Sequence, residues 1–197
     1  MIRRTAIIGL LAVVIAAGAL PARAEVDFVL NVLPASLLVN AEGTFGVTGA
    51  SGERITLSSV YMMPNLSAGV GVEAGDFFID VTGGAGLVVN ESFRSFLLQV
   101  QVSAMYSISD SLAIGPHVGL IHFPDPEWLE DQDLEFDNST GFIGGLQISM
   151  GDRISYFTSV DVIAATFDTE AGAAVDVEEG ELSLTALAFQ FGVRGEF

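Results

Sequence analysis

Residues 94–108 read Arg94-Ser95-Phe96-Leu97-Leu98-Gln99-Val100-Gln101-Val102-Ser103-Ala104-Met105-Tyr106-Ser107-Ile108. From Phe96 to Ile108 the even positions are apolar, while the odd ones include Ser95, Gln99, Gln101, Ser103 and Ser107. A period of two marks a strand with two different faces. The run is far longer than the roughly five or six residues usual in a soluble sheet. It suits a tilted membrane strand, whose apolar band takes about 9–11 residues.

The same beat recurs along the chain. The apolar sets are Leu37 to Val47, Val60 to Val72, Phe77 to Val89, Leu112 to Leu120, Phe142 to Met150, Ile154 to Val162 and Leu187 to Phe197, which with residues 94–108 make eight segments. The opposite faces are expected to carry Gly, Ser, Thr, Gln and a few charges rather than Leu and Ile. The connections alternate in kind. Ala74-Gly75-Asp76, Ser109-Asp110 and Gly151-Asp152 suit tight turns, whereas residues 49–54, 90–92, 124–138 and 166–180 form the other set, two of them long and acidic. Short turns at one end and longer loops at the other are the pattern of a transmembrane barrel. An even strand count puts both chain ends on the turn side. A soluble secreted sandwich would show the same alternation, but segment length weighs against it.

Composition removes several classes of activity. Twenty-five acidic residues against seven basic ones, all Arg, give a net charge of −18, which excludes a nucleic-acid binder that neutralises phosphates. Half the residues are apolar and 16% are charged, so the acidity does not signal disorder. With no Cys and no Lys, disulfide frameworks, thiolate chemistry and Schiff bases are excluded. Residues 1–24 run from Arg3-Arg4 through the apolar stretch Ala6–Leu20 to Pro21-Ala22-Arg23-Ala24, the order of a cleaved secretory signal. Cleavage leaves four arginines. Residues 25–36, interrupted by Pro34, are read as a periplasmic lead-in or the start of the first strand, with the barrel proper over 37–197.

The terminal stretch Phe189-Gln190-Phe191-Gly192-Val193-Arg194-Gly195-Glu196-Phe197 ends on Phe behind alternating apolar residues. In this, and in its strand and loop pattern, the mature chain resembles the small outer-membrane β-barrel proteins of Gram-negative bacteria, the OmpA/OmpX-like or OmpW-like group. The resemblance implies an all-β, eight-stranded antiparallel up-and-down transmembrane barrel in the outer membrane, in contact with lipid and lipopolysaccharide. It also implies that Phe189, Phe191, Val193 and Phe197 form the signal read by the barrel-assembly machinery. It says little about activity, because this architecture carries adhesins, channels, enzymes and structural proteins.

If the apolar set faces lipid, Glu42, Glu73, Asp80, His117, Arg153, Asp161, Arg194 and Glu196 face inward. Eight strands enclose a space just wide enough for side chains to fill, so these acids are expected to bond to Arg153 and Arg194. The alternative is a small cation-preferring channel, since an unbalanced acidic lining favours cations. Outside, Asp125, Glu127, Glu130, Asp131, Asp133, Glu135 and Asp137 make one outer loop strongly negative. Their oxygens suit loosely bound Ca²⁺ or Mg²⁺, although Phe136 and Phe142 stand where an EF-hand needs Gly and Glu. No other cofactor is expected. Lipid A-modifying barrels are the enzymatic alternative. His122 has outward parity near the outer end of its strand, but the Ser expected two residues later is Pro124, so a non-enzymatic protein is preferred. Trp128 is an anchor or packs within its loop. Tyr106, Tyr156, Phe77 and Phe197 fit an aromatic girdle.

Overall fold

The computed structural model describes residues 26–40, 46–48, 54–56, 60–129, 134–171 and 180–197. The first 25 residues, Glu42 and the loop acids Glu130, Asp131 and Asp133 lie outside them. Among the described residues the chain forms β1 (Val26–Asn40), β2 (Gly46–Thr48), β3 (Arg54–Thr56), β4 (Val60–Met62), β5 (Asn65–Ala74), β6 (Phe77–Val89) and β7 (Phe93–Ser109). These are followed by β8 (Leu112–Phe123), β9 (Glu127–Trp128), β10 (Leu134–Phe136), β11 (Ser139–Gly151), β12 (Ile154–Ala171) and β13 (Gly180–Glu196).

The long strands pair antiparallel in chain order, from β1 through β5, β6, β7, β8, β11 and β12 to β13. β13 returns to β1 and closes the ring. With β4 and β5 taken as one strand broken at Met63-Pro64, eight long strands of the described residues line up around the ring. Closure removes the free edges that an open sheet would leave. Backbone bonds between Phe28 and Phe197, at 2.9 and 3.0 Å, tie the start of β1 to the residue that follows β13.

Two prolines are absorbed without opening the wall. Pro34 falls in the register shift between Val32 and Ala35, a bulge being where a strand tolerates a residue with no N–H to donate. The first strand therefore runs from Val26 through Pro34 to Asn40, earlier than the expected 37–47, and residues 46–48 belong to the separate β2–β3 hairpin. At the second proline the ladder continues through Met63 N–H to the Ser36 carbonyl, at 3.0 Å, and Leu87 N–H to the Pro64 carbonyl, at 3.1 Å. The tight turns are at one end of the barrel. Gly75 there has φ +68°, a conformation that costs glycine little.

Alternation sorts the side chains as the period requires. On β8, Leu120 is 44% exposed and its neighbour Ile121 1%. Phe96, Val100, Val118, Phe142, Leu146, Val160, Phe189 and Phe191 all stand on the outer surface, an apolar belt of the kind that faces lipid in transmembrane barrels. Near its turn end, Phe77 packs on Tyr106 at 5.2 Å and Tyr156 stacks with Phe191 at 6.5 Å. The interior differs from the expected polar lining. Its loop-side half is apolar, built from Leu38, Met63, Leu97, Phe93, Ile121, Phe123, Phe136, Ile143, Ile163 and Phe167 among others. Long strands carry the ring beyond the lipid belt, and there a narrow barrel must fill its own centre.

Candidate functional site

The lumen has three levels, and each follows from which residues the register brings to one height. At the loop end, Phe93 meets Phe136 and Phe167 edge-on at 5.7 and 5.8 Å, and Phe123 lies 5.2 Å from Phe167. Such tilted pairs are the favourable geometry for aromatic rings. Trp128 packs on Phe136 at 6.4 Å, so it seals this layer from above.

Below it lies a polar belt. His117 on β8 and Asp161 on β12 are both in register with Gly145 on the strand between them. Because Gly145 has no side chain, the two groups meet across it, His117 Nε2 lying 2.7 Å from Asp161 Oδ1. An added Cβ at Gly145 would collide with Asp161 Oδ1 and the Val160 carbonyl. Ser159 Oγ donates to the other carboxylate oxygen at 2.7 Å. On the far wall, Gln101 donates to Gln99 at 3.2 Å, Gln99 to Asn65 at 3.0 Å, and Asn31 to Ser67 at 3.2 Å.

Toward the turn end Arg194 crosses the lumen. Its Nη2 is 2.9 Å from Asp80 Oδ2, its Nε donates to Glu196 Oε1 at 2.7 Å, and its guanidinium lies 4.7 Å from the centre of the Phe78 ring. Ser103 Oγ also donates to Asp80. A buried charge is tolerated when it is paired and hydrogen-bonded, and Asp80, between Arg194 and Ser103, meets that condition. Beneath Arg194 a cavity of about 110 Å³ opens at the turn end, lined by Glu73, Phe78, Met105, Ser155, Arg194 and Glu196 among others.

The expected interior residues thus separate. Asp80, His117, Asp161 and Arg194 are buried in the lumen, and Glu196 is half-buried beside Arg194. Glu73 is exposed at the rim of the cavity. Arg153 corrects the expectation. It stands exposed in the β11–β12 connection and makes no ion pair among the described residues; only its carbonyl is used, accepting Glu196 N–H at 2.8 Å. The described lumen therefore has one arginine rather than two. Arg194 thus meets both Asp80 and Glu196, and His117 lies against Asp161.

At the loop end Glu127 pairs with Arg94 on the surface. Asp125 adopts φ +46°, and its N–H is held by Asn138 Oδ1 at 2.8 Å. Asp137 N–H bonds the Asp168 carbonyl at 3.0 Å. In backbone register, residue 135 of β10 pairs with Glu127 of β9 and with residue 170 of β12. His122 is half-buried on the outer surface, its Nδ1 2.9 Å from Thr140 Oγ1. Phe189, Phe191 and Phe197 are exposed on the outer wall, with Val193 half-buried.

No known protein family and no curated protein matches the sequence. Solved structures do match the fold. The outer membrane protein OprG from Pseudomonas aeruginosa superposes with a TM-score of 0.56 at 10% identity, over 87% of this chain and 95% of that one. The outer membrane protein AlkL, solved in lipid bilayers, aligns over 87% of this chain and 90% of that one at 10% identity, with a TM-score of 0.48. The fold is that of an outer-membrane β-barrel.

Proposed function

We propose that this chain is a non-enzymatic protein of the Gram-negative outer membrane, exported by its first 24 residues, whose acidic outer loops make its contacts with the envelope or the cell surface. The observation that carries the reading is the apolar layer across the loop-side lumen. Phe93, Leu97, Ile121, Phe123, Phe136, Ile163 and Phe167 offer a passing ion no oxygen or charge, and a dry layer of this kind opposes conduction. The pairing of Asp80 and Glu196 with Arg194 also weakens the cation-channel alternative. Solvent-facing chemistry is then concentrated outside.

There Asp125, Glu127, Asp137 and Asp168 are exposed, and Arg94 answers one of them. A surplus of this sign calls for counter-charge, supplied by a cationic partner or by Ca²⁺ or Mg²⁺ bridging to lipopolysaccharide phosphates. The test is capture of labelled lipopolysaccharide by the refolded protein in vesicles of neutral lipid. Capture should require millimolar Ca²⁺, vanish with EDTA and fall in a variant with Asp125, Asp137 and Asp168 changed to Asn. Capture indifferent to both treatments, or none at all, refutes the bridging. The non-enzymatic part has its own check, since an overexpressing strain and its His122→Ala counterpart should both leave lipid A unaltered. Altered lipid A that depends on His122 would refute it.

A further inference from the structure

Three buried polar atoms from three different strands have no hydrogen-bond partner in the protein: Asn31 Oδ1 on β1, His117 Nδ1 on β8 and Gln190 Nε2 on β13. All three residues line the same small cavity, of about 20 Å³, whose walls also include Leu33 and Phe157. Orphaned polar atoms in a closed interior are rare, because each one forfeits the hydrogen bonds it made in water. Here the three residues that carry them line one space. A cavity of roughly 10–15 Å³ or more holds one water, and a buried water typically makes about three hydrogen bonds.

We propose that this cavity at the centre of the barrel is a binding site for a single water molecule, which fixes the tautomer of His117. The donor and acceptor count closes on that occupant. His117 Nε2 lies 2.7 Å from a carboxylate oxygen, and two bare lone pairs would repel at that distance, so Nε2 carries the proton. In the neutral ring Nδ1 is then an acceptor. The Asn31 carbonyl oxygen is a second acceptor and the Gln190 amide nitrogen a donor. A water molecule donates twice and accepts once here, satisfying all three atoms. An ion does not fit this set. A cation would be faced by the Gln190 N–H, and an anion by the two acceptors.

The experiment is a water-selective rotating-frame Overhauser measurement on ¹⁵N-labelled protein refolded in detergent micelles. The expected result is a cross-peak from a long-lived water to the Gln190 side-chain amide, with the His117 Nδ1 resonance shifted as a hydrogen-bonded acceptor. In Asn31→Leu, whose folding is checked by its mobility on an unboiled gel, the water cross-peak should be lost and the Nδ1 shift should move toward that of a free nitrogen. Two results overturn the proposal. One is a scalar coupling between Gln190 Nε2 and His117 Nδ1, which shows a direct bond with no water between. The other is the absence of any water cross-peak in the folded parent protein.

Discussion

Gly144 and Gly145 are neighbours in sequence and face opposite sides of the wall, and alanine at the two positions should have opposite consequences. At Gly145 a new Cβ would collide with Asp161 Oδ1 and the Val160 carbonyl, and would come to 2.7 Å from Asp161 Cα. Over-packing of a tight interior costs about 1–3 kcal/mol. Displacing Asp161 also breaks its 2.7 Å contact with His117 and the hydrogen bond it accepts from Ser159, and a hydrogen bond to a charged group is worth about 1.5–3 kcal/mol. Gly145→Ala should therefore destabilise the barrel by roughly 3–5 kcal/mol. At Gly144 the nearest atoms to a new Cβ are the His117 carbonyl oxygen at 3.4 Å and Val118 Cγ2 at 3.8 Å. That space accepts a methyl group. Gly→Ala where the backbone allows it stabilises by about 0.4–1 kcal/mol through the unfolded chain. Reversible urea unfolding in lipid vesicles measures both, followed by Trp128, the single tryptophan. In an Asp161→Ala background the Gly145→Ala cost should shrink, leaving the clash with the Val160 carbonyl. If the two glycine variants differ by less than about 0.5 kcal/mol, within the error of additive sites, the crossing of His117 and Asp161 over Gly145 is refuted.

Arg194→Met should cost about 3–5 kcal/mol, because it leaves the Asp80 carboxylate buried without its cation, and adding Asp80→Asn should recover much of the loss in the same urea titration. The mature protein in a planar bilayer should insert without discrete current steps, and Glu73→Gln with Asp80→Asn should change nothing; cation-selective steps that diminish in that double variant would restore the channel. The folded protein should run at a different position on a gel before and after boiling, and a single position under both conditions would count against the closed ring.

The sequence alone determined the strands, the two classes of connection and the apolar outer belt, because a period of two is a property of each strand by itself. The apolar layer of the lumen was also written there. Leu37-Leu38-Val39, Leu87-Val88-Val89, Phe96-Leu97-Leu98, Leu120-Ile121, Phe142-Ile143 and Val162-Ile163-Ala164 are apolar on both faces, and these runs fall toward the loop ends of their strands. Residues 25–36 stayed open between a lead-in and the start of the first strand for a local reason. Pro34 shifts the inward parity from Val29 and Leu33 to Ser36 and Leu38, so a strict alternation is broken in the middle of a continuous strand.

Only the tertiary structure decided who meets whom inside. Asp80 and Arg194 are 114 positions apart in the chain, and nothing local distinguishes Arg194 from Arg153, which shares its predicted parity and depth but lies in a turn open to solvent. Stagger between strands, set by ring closure, places each residue at a height and an angle around the lumen. Closure and stagger take Arg194 to Asp80, and they place a glycine where His117 and Asp161 need one. Those are properties of the whole ring, and no segment of sequence carries them by itself.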